Sequence, residues 1–213
     1  MKVVAIVGPS ESGKTKLIES LIRYFRQQGL ECGVLKLAEE EIELDEKGKD
    51  SWRFGQAGAS QVGVLTKEKF FFLKNFKDQY SWLRIITDYF LGVDLLLIEG
   101  GKKVSDFKKI FLAKNSEDLK SVEFIENLIA VVSDEKFNST LPHFYPYQIK
   151  ELAKFLLENL SPMDPLIQIK VDGQIIPLNP FVESMIKELV QAMIRPLKNI
   201  PANPRLISIL LKK

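Results

Sequence analysis

Val3-Val4-Ala5-Ile6-Val7-Gly8-Pro9-Ser10-Glu11-Ser12-Gly13-Lys14-Thr15 opens the chain and decides its fold. The apolar run reads as a strand. Gly8 to Thr15 keep the spacing G-x-x-x-x-G-K-[ST], and an amphipathic stretch begins at Lys14. A strand, a glycine-rich loop and a helix in that order are the context of a P-loop. The glycines let backbone N–H groups turn inward around a phosphate, and the helix dipole adds positive potential at the same point. The Lys14 ammonium is expected on the β- and γ-phosphates and the Thr15 hydroxyl on Mg2+. Gly8, Pro9, Ser10, Glu11, Ser12, Gly13, Lys14, Thr15 and the adjoining Lys16 are the candidate nucleotide-binding residues.

Around this loop the chain alternates strand and helix signals, which predicts an α/β fold with a mostly parallel sheet flanked by helices, a P-loop NTPase architecture. Leu17, Ile18, Leu21, Ile22 and Phe25 line one face of a helix from about Lys14 to Gln28, with Gly29 as its C-cap. Gly33 to Leu37 reads as the second strand. A short helix is expected to start at Asp50, as its N-cap. Gln61 to Thr66 and Lys69 to Leu73 read as strands, and Ser81 to Phe90 as a helix. Asp94-Leu95-Leu96-Leu97-Ile98 is continuously apolar after its first residue, as expected of a central strand covered on both faces. Lys109 to Ala113 and Leu128 to Val132 are further strands, and a helix over Pro146 to Leu160 closes a first domain, 1–160.

Ser161-Pro162-Met163-Asp164-Pro165 reads as a linker to a small β-β-α-β appendage over 166–213. There Asp172-Gly173 signals a hairpin turn, Asn179 and Pro180 start a helix to about Ile194, and Arg205 to Leu211 reads as a last strand.

Bulk properties exclude several classes. The chain has 213 residues and a net charge of +2, from 30 basic and 28 acidic residues. That balance gives no case for nucleic acid or a membrane surface as partner. No apolar stretch is long enough to span a bilayer, and the N-terminus enters a strand with no signal peptide. The single cysteine, Cys32, lies in an apolar run and is expected to be a buried inert thiol in a reducing compartment, the cytoplasm. The lone His143, in Pro142-His143-Phe144-Tyr145-Pro146, is expected to pack as a structural residue. The Phe70-Phe71-Phe72 run is expected in a strand or a subunit interface.

Glu99 follows the central strand directly, in Glu99-Gly100-Gly101-Lys102. In P-loop proteins an acid at that strand end holds Mg2+ directly or through water, and ligands of open α/β sheets bind at that edge. A solvated acid capping the strand is the plainer alternative. Asp50, in Asp45-Glu46-Lys47-Gly48-Lys49-Asp50-Ser51-Trp52, sits where P-loop folds place a switch that senses the γ-phosphate, and an exposed helix cap is the plainer alternative there. The candidate catalytic residues are Lys14, Asp50 and Glu99. The candidate metal ligands are Thr15 and Glu99.

The order of these motifs resembles the molybdopterin-guanine dinucleotide biosynthesis adaptor family, MobB. The likeness is carried by Val34-Leu35-Lys36, Asp45-x-x-Gly48-Lys49-Asp50-Ser51, Ala57-Gly58-Ala59, Asp94 to Lys102 with the strand at Lys109-Ile110, and Ala130-Val131-Val132-Ser133-Asp134. It runs from Met1 to about Leu160, and the tail over Ile176 to Val182 looks like an extension found on some members. The resemblance implies a homodimeric GTP-binding protein with Mg2+ and weak GTPase activity. Its partner would be the enzyme that joins molybdopterin to a guanine nucleotide, or factors that mature molybdoenzymes. It also implies that Ser133 and Asp134 lie near the base, where a carboxylate suits the two donors of guanine. The chain departs from the family after Lys36, where a histidine-rich stretch is replaced by Leu37-Ala38-Glu39-Glu40-Glu41, at Gly101, where the family has phenylalanine, and at Lys16, where threonine is common. The residues leave two other readings open. One is a small-molecule kinase, although Arg23, Arg26, Arg53, Arg84, Arg195 and Arg205 form no lid-like cluster. The other is a carrier of nucleotide or pterin without turnover.

Overall fold

The structure, a computed structural model, describes residues 1–38, 42, 45–76, 82–136, 140–163, 167, 169–171, 174–198, 207 and 209. The element order is β1 (Lys2–Val7), α1 (Lys14–Gln27), β2 (Cys32–Lys36), α2 (Asp50–Gln56), β3 (Gln61–Leu65), β4 (Phe70–Lys74), α3 (Trp82–Tyr89), β5 (Leu95–Glu99), β6 (Lys109–Leu112), a 3-10 helix (Asp118–Phe124), β7 (Leu128–Val132), β8 (His143–Phe144), α4 (Ile149–Asn159), β9 (Ile169–Val171), β10 (Gln174–Ile176) and α5 (Pro180–Ile194).

Six strands make one parallel sheet in the order β2-β5-β1-β6-β7-β8. Its middle is apolar on both faces because successive side chains of a strand point to opposite sides. Val4 and Ile6 meet Leu17, Leu21 and Phe25 of α1 and Leu152 and Leu156 of α4 on one face. Ala5 and Val7 meet Ile86 of α3, Phe107, and Leu119 and Val122 of the 3-10 helix on the other. Leu95, Leu96, Leu97 and Ile98 are all buried, as the unbroken run requires. The chain leaves β1 toward β2 and leaves β6 toward β7, on opposite sides, so a crevice opens at the carboxyl ends of β1 and β6.

α1 ends as its sequence directs. Gly29 takes φ +77°, Leu30 N–H donates to Phe25 O at 3.0 Å, and Gly29 N–H donates to Arg26 O at 3.0 Å. This is a Schellman close, which satisfies carbonyls the helix would otherwise leave open.

Several expectations shift. Asp50 is the first residue of α2 rather than its cap, which is Lys49. β3 and β4 pair with each other, antiparallel, in a two-stranded sheet apart from the six. His143 and Phe144, read as loop, form β8 on the edge of the main sheet. Ser161 to Met163 is not a free linker. Pro162 bridges Lys2, Met163 N–H donates to Met1 O at 2.8 Å, and Met163 packs on the core. β9 and β10 pair antiparallel, and Asn179 Oδ1 accepts from Val182 N–H at 3.0 Å to cap α5. The expected turn at Asp172-Gly173 and most of the expected strand at Arg205 to Leu211 lie outside the described residues. So do Glu39, Glu40 and Glu41. Among the described residues, no helix is long and apolar enough to cross a membrane.

Candidate functional site

The site begins with a helix whose N-terminus has no side-chain cap. Gly13 is the N-cap of α1 at φ +93°, no side chain bonds to the cap, and the first turn carries no acid. The first N–H groups of such a helix seek an external acceptor, and an anion suits them. The loop before it is strained into place. Glu11 takes φ +57°, and a Cβ on Gly8 would lie 2.2 Å from Leu112 O of β6, so only glycine lets the loop pass there.

Within the loop, Lys14 Nζ donates to Pro9 O at 2.5 Å and to Gly8 O at 3.1 Å. The Ser12 hydroxyl is buried and makes no hydrogen bond. An orphaned hydroxyl, an uncapped helix start and an ammonium resting on its own loop carbonyls together fit a bound phosphate group. Ser10, Pro9, Glu11 and Lys16 belong to the same turn and first helical residues.

The acid comes from β5. Thr15 Oγ1 donates to Glu99 Oε2 at 3.0 Å, so the two candidate metal ligands meet. Lys36 Nζ lies 3.5 Å from Glu99 Oε1. Register explains this: Lys36 and Glu99 are directly opposed across β2 and β5. Gly100, at φ +95°, lets the two strand ends close up, because a Cβ there would lie 2.7 Å from Leu37 O. Among the described residues no three His, Cys, Asp or Glu side chains form a metal cage. Mg2+ in a nucleotide site needs none, since phosphate and water complete its octahedron. Thr15 and Glu99 therefore fit a nucleotide-borne Mg2+.

The other end of the crevice is built at β7. Ser133 is buried, and its hydroxyl donates to Glu135 O at 2.6 Å. A serine has one hydroxyl proton, so His143 Nε2, 2.9 Å away, must be the donor to Ser133 Oγ. Ser133 N–H donates to Phe144 O at 3.1 Å. The Ser133 side chain is thus engaged inside the fold, and Asp134 beside it is exposed.

Asp50 stands apart. Its side chain is 84% exposed on the first turn of α2 and pairs with Arg53 at 3.8 Å. Asp45 is the better anchored acid of that motif, accepting from Ser51 Oγ and Glu46 N–H, each at 2.9 Å. Cys32 is half-buried rather than fully buried, and that partial burial pushes its thiol above the ordinary pKa. Lys36 and His143 were not among the sequence-derived site residues. Lys36 stood in a quoted motif, and its contact with Glu99 becomes visible only once the strands are in register.

The chain is similar to several known proteins. The family described as molybdopterin guanine dinucleotide synthesis protein B matches residues 3–134. A Methanocaldococcus jannaschii protein, named provisionally as a molybdopterin-guanine dinucleotide biosynthesis adapter protein, is 27% identical over 98% of this chain and 97% of its own. The adapter protein of that name from Escherichia coli is 27% identical over 73% of this chain and 91% of its own. The crystal structure of Bacillus subtilis MobB superposes with a TM-score of 0.62 at 30% identity, covering 76% of this chain and all of that one. With more than half of its residues matched, from β1 to the end of β7, the chain belongs to the MobB family of molybdopterin guanine dinucleotide synthesis proteins.

Proposed function

We propose that this chain is the GTP-binding adapter of molybdopterin guanine dinucleotide synthesis. In this reading it binds GTP with Mg2+ and hydrolyses it slowly. Its partner is the enzyme that joins molybdopterin to the guanine nucleotide, and two copies act together. The observation that carries the nucleotide reading is the Thr15–Glu99 contact at the uncapped start of α1. The adapter role rests on the family and on the names of its relatives.

Each residue has a part. The loop N–H groups and the Ser12 hydroxyl hold the β-phosphate. Lys14 exchanges its loop carbonyls for β- and γ-oxygens. Thr15 and Glu99 hold the metal, which when bound neutralises charge on the phosphates. Asp134 accepts from the N1–H and exocyclic amine of guanine. The β3–β4 hairpin, with exposed Phe70 and Phe72 on one face and Phe71 on the other, supplies surface for the second copy.

Titration with GTP and ATP, each with and without Mg2+, tests the reading. GTP should bind tighter than ATP, and Mg2+ should strengthen it. Asp134→Ala should weaken GTP by on the order of 2–5 kcal/mol and ATP little, the cost of losing a paired, desolvated charge. A wild-type preference for ATP would overturn the guanine reading and favour a kinase.

A further inference from the structure

We propose that Lys36 is a second phosphate-site lysine, one that reads the terminal phosphate of the bound nucleotide. The inference rests on the nucleotide reading above and goes beyond it, since none of the P-loop residues depends on Lys36.

The order of strands fixes which end of the nucleotide meets which residue. Along the carboxyl edge of the sheet stand Lys36 on β2, Glu99 on β5, the phosphate loop after β1, β6, and Asp134 after β7. A base at Asp134 and a β-phosphate in the loop direct the γ-phosphate toward β5 and β2. Lys36 is an ammonium at that end. It lies 3.5 Å from Glu99 Oε1, and its side chain is 61% exposed while Glu99 is only 15% exposed. The lysine therefore leans over the metal-side acid from the solvent side and is free to turn.

The charge balance gives the exchange its direction. Glu99 now satisfies one oxygen with the Thr15 hydroxyl and the other with the Lys36 ammonium. With the Glu99 carboxylate committed to a metal, that ammonium would lose its counter-charge. The nearest new anion is the γ-phosphate, the richest acceptor in the site. A diphosphate leaves Lys36 with nothing to move to. Lys14, in the loop itself, touches β-oxygens in either case. The two lysines thus divide the work: Lys14 holds any diphosphate or triphosphate, and Lys36 discriminates between them.

Calorimetric titration of the full chain with Mg2+ and either GDP or a non-hydrolysable GTP analogue tests this. Lys36→Met should weaken the analogue by about tenfold or more, the value of a charge-assisted hydrogen bond, and change GDP by less than about twofold. Lys36→Arg should recover part of the loss. Equal losses for both nucleotides, or no loss, would overturn the proposal. Lysine acetylation of the wild-type chain, mapped by mass spectrometry, gives a second readout that needs no variant. The analogue should protect Lys36 and GDP should not, while both should protect Lys14. Equal labelling of Lys36 with either nucleotide overturns the proposal alone. Failure of both nucleotides to protect Lys14 overturns the P-loop reading and this inference with it.

Discussion

Glu99 divides its two oxygens between a hydroxyl and an ammonium, and that division makes it the most informative residue of the site. Glu99→Gln keeps the shape and one acceptor but removes the charge. GTP affinity without Mg2+ should then stay within about threefold of wild type, while the gain on adding Mg2+ should largely disappear. A full Mg2+ effect in the variant would remove Glu99 from the metal site. Lys14→Ala should abolish triphosphate binding with the melting temperature unchanged, because among the described residues the Lys14 ammonium bonds to its own loop carbonyls, Pro9 O and Gly8 O. Unchanged GTP affinity in the folded variant would contradict the P-loop assignment. At the other end of the crevice, the Ser133–His143 bond shows why a histidine with no catalytic partner is still well used. It donates to the hydroxyl that holds the turn carrying Asp134.

At the scale of elements, α1 carries most of the coupling between fold and site. Its start offers N–H groups to a ligand while its side holds Leu17, Ile18, Leu21 and Phe25 in the core. Leu21 is fully buried. Leu21→Ala should cost about 2–5 kcal/mol by transfer and cavity terms, read by denaturant unfolding. A loss under about 1 kcal/mol would mean that α1 packs loosely and could shift on ligand binding. The elements that were legible in the sequence are those whose signal is local. The P-loop spacing, the unbroken Leu95 to Ile98 run, the α1 stripe with Gly29, and the Asn179-Pro180 start of α5 each appear within a residue or two of the expected place. What stayed hidden depends on partners far along the chain. β8 is two residues long and shows no period, and it exists because β7 offers it an edge. β3 and β4 carry strand composition, but nothing local says that they pair only with each other. Lys36 becomes a site residue only through its register with Glu99.

For the whole molecule, the question is where the nucleotide-binding unit ends. The sequence places the division near Leu160, and residues just past that point still contact the start of the chain. Pro162 bridges Lys2, Met163 N–H reaches Met1 O, and Met163 joins the apolar cluster on the α3 face. These two residues close the amino-terminal end of β1, so a cut before them exposes the start of the strand that leads into the phosphate loop. Beyond them the tail changes character. α5 has no buried residue, and Phe181, Met185, Leu189 and Met193, spaced four apart, form an exposed apolar stripe along it. A helix with such a stripe contributes little to the core it leaves uncovered and presents surface to something else. A chain ending after Met163 should therefore stay folded, bind GTP within about threefold of the full chain, and associate less in solution. A chain ending at Leu160 should melt lower, because it loses the Met1 and Lys2 contacts and the Met163 side chain. Melting curves, light scattering and GTP titration on the three lengths separate the outcomes. If the chain ending after Met163 is folded but no longer binds GTP, the tail completes the nucleotide site, and the division into a binding domain and an appendage is wrong.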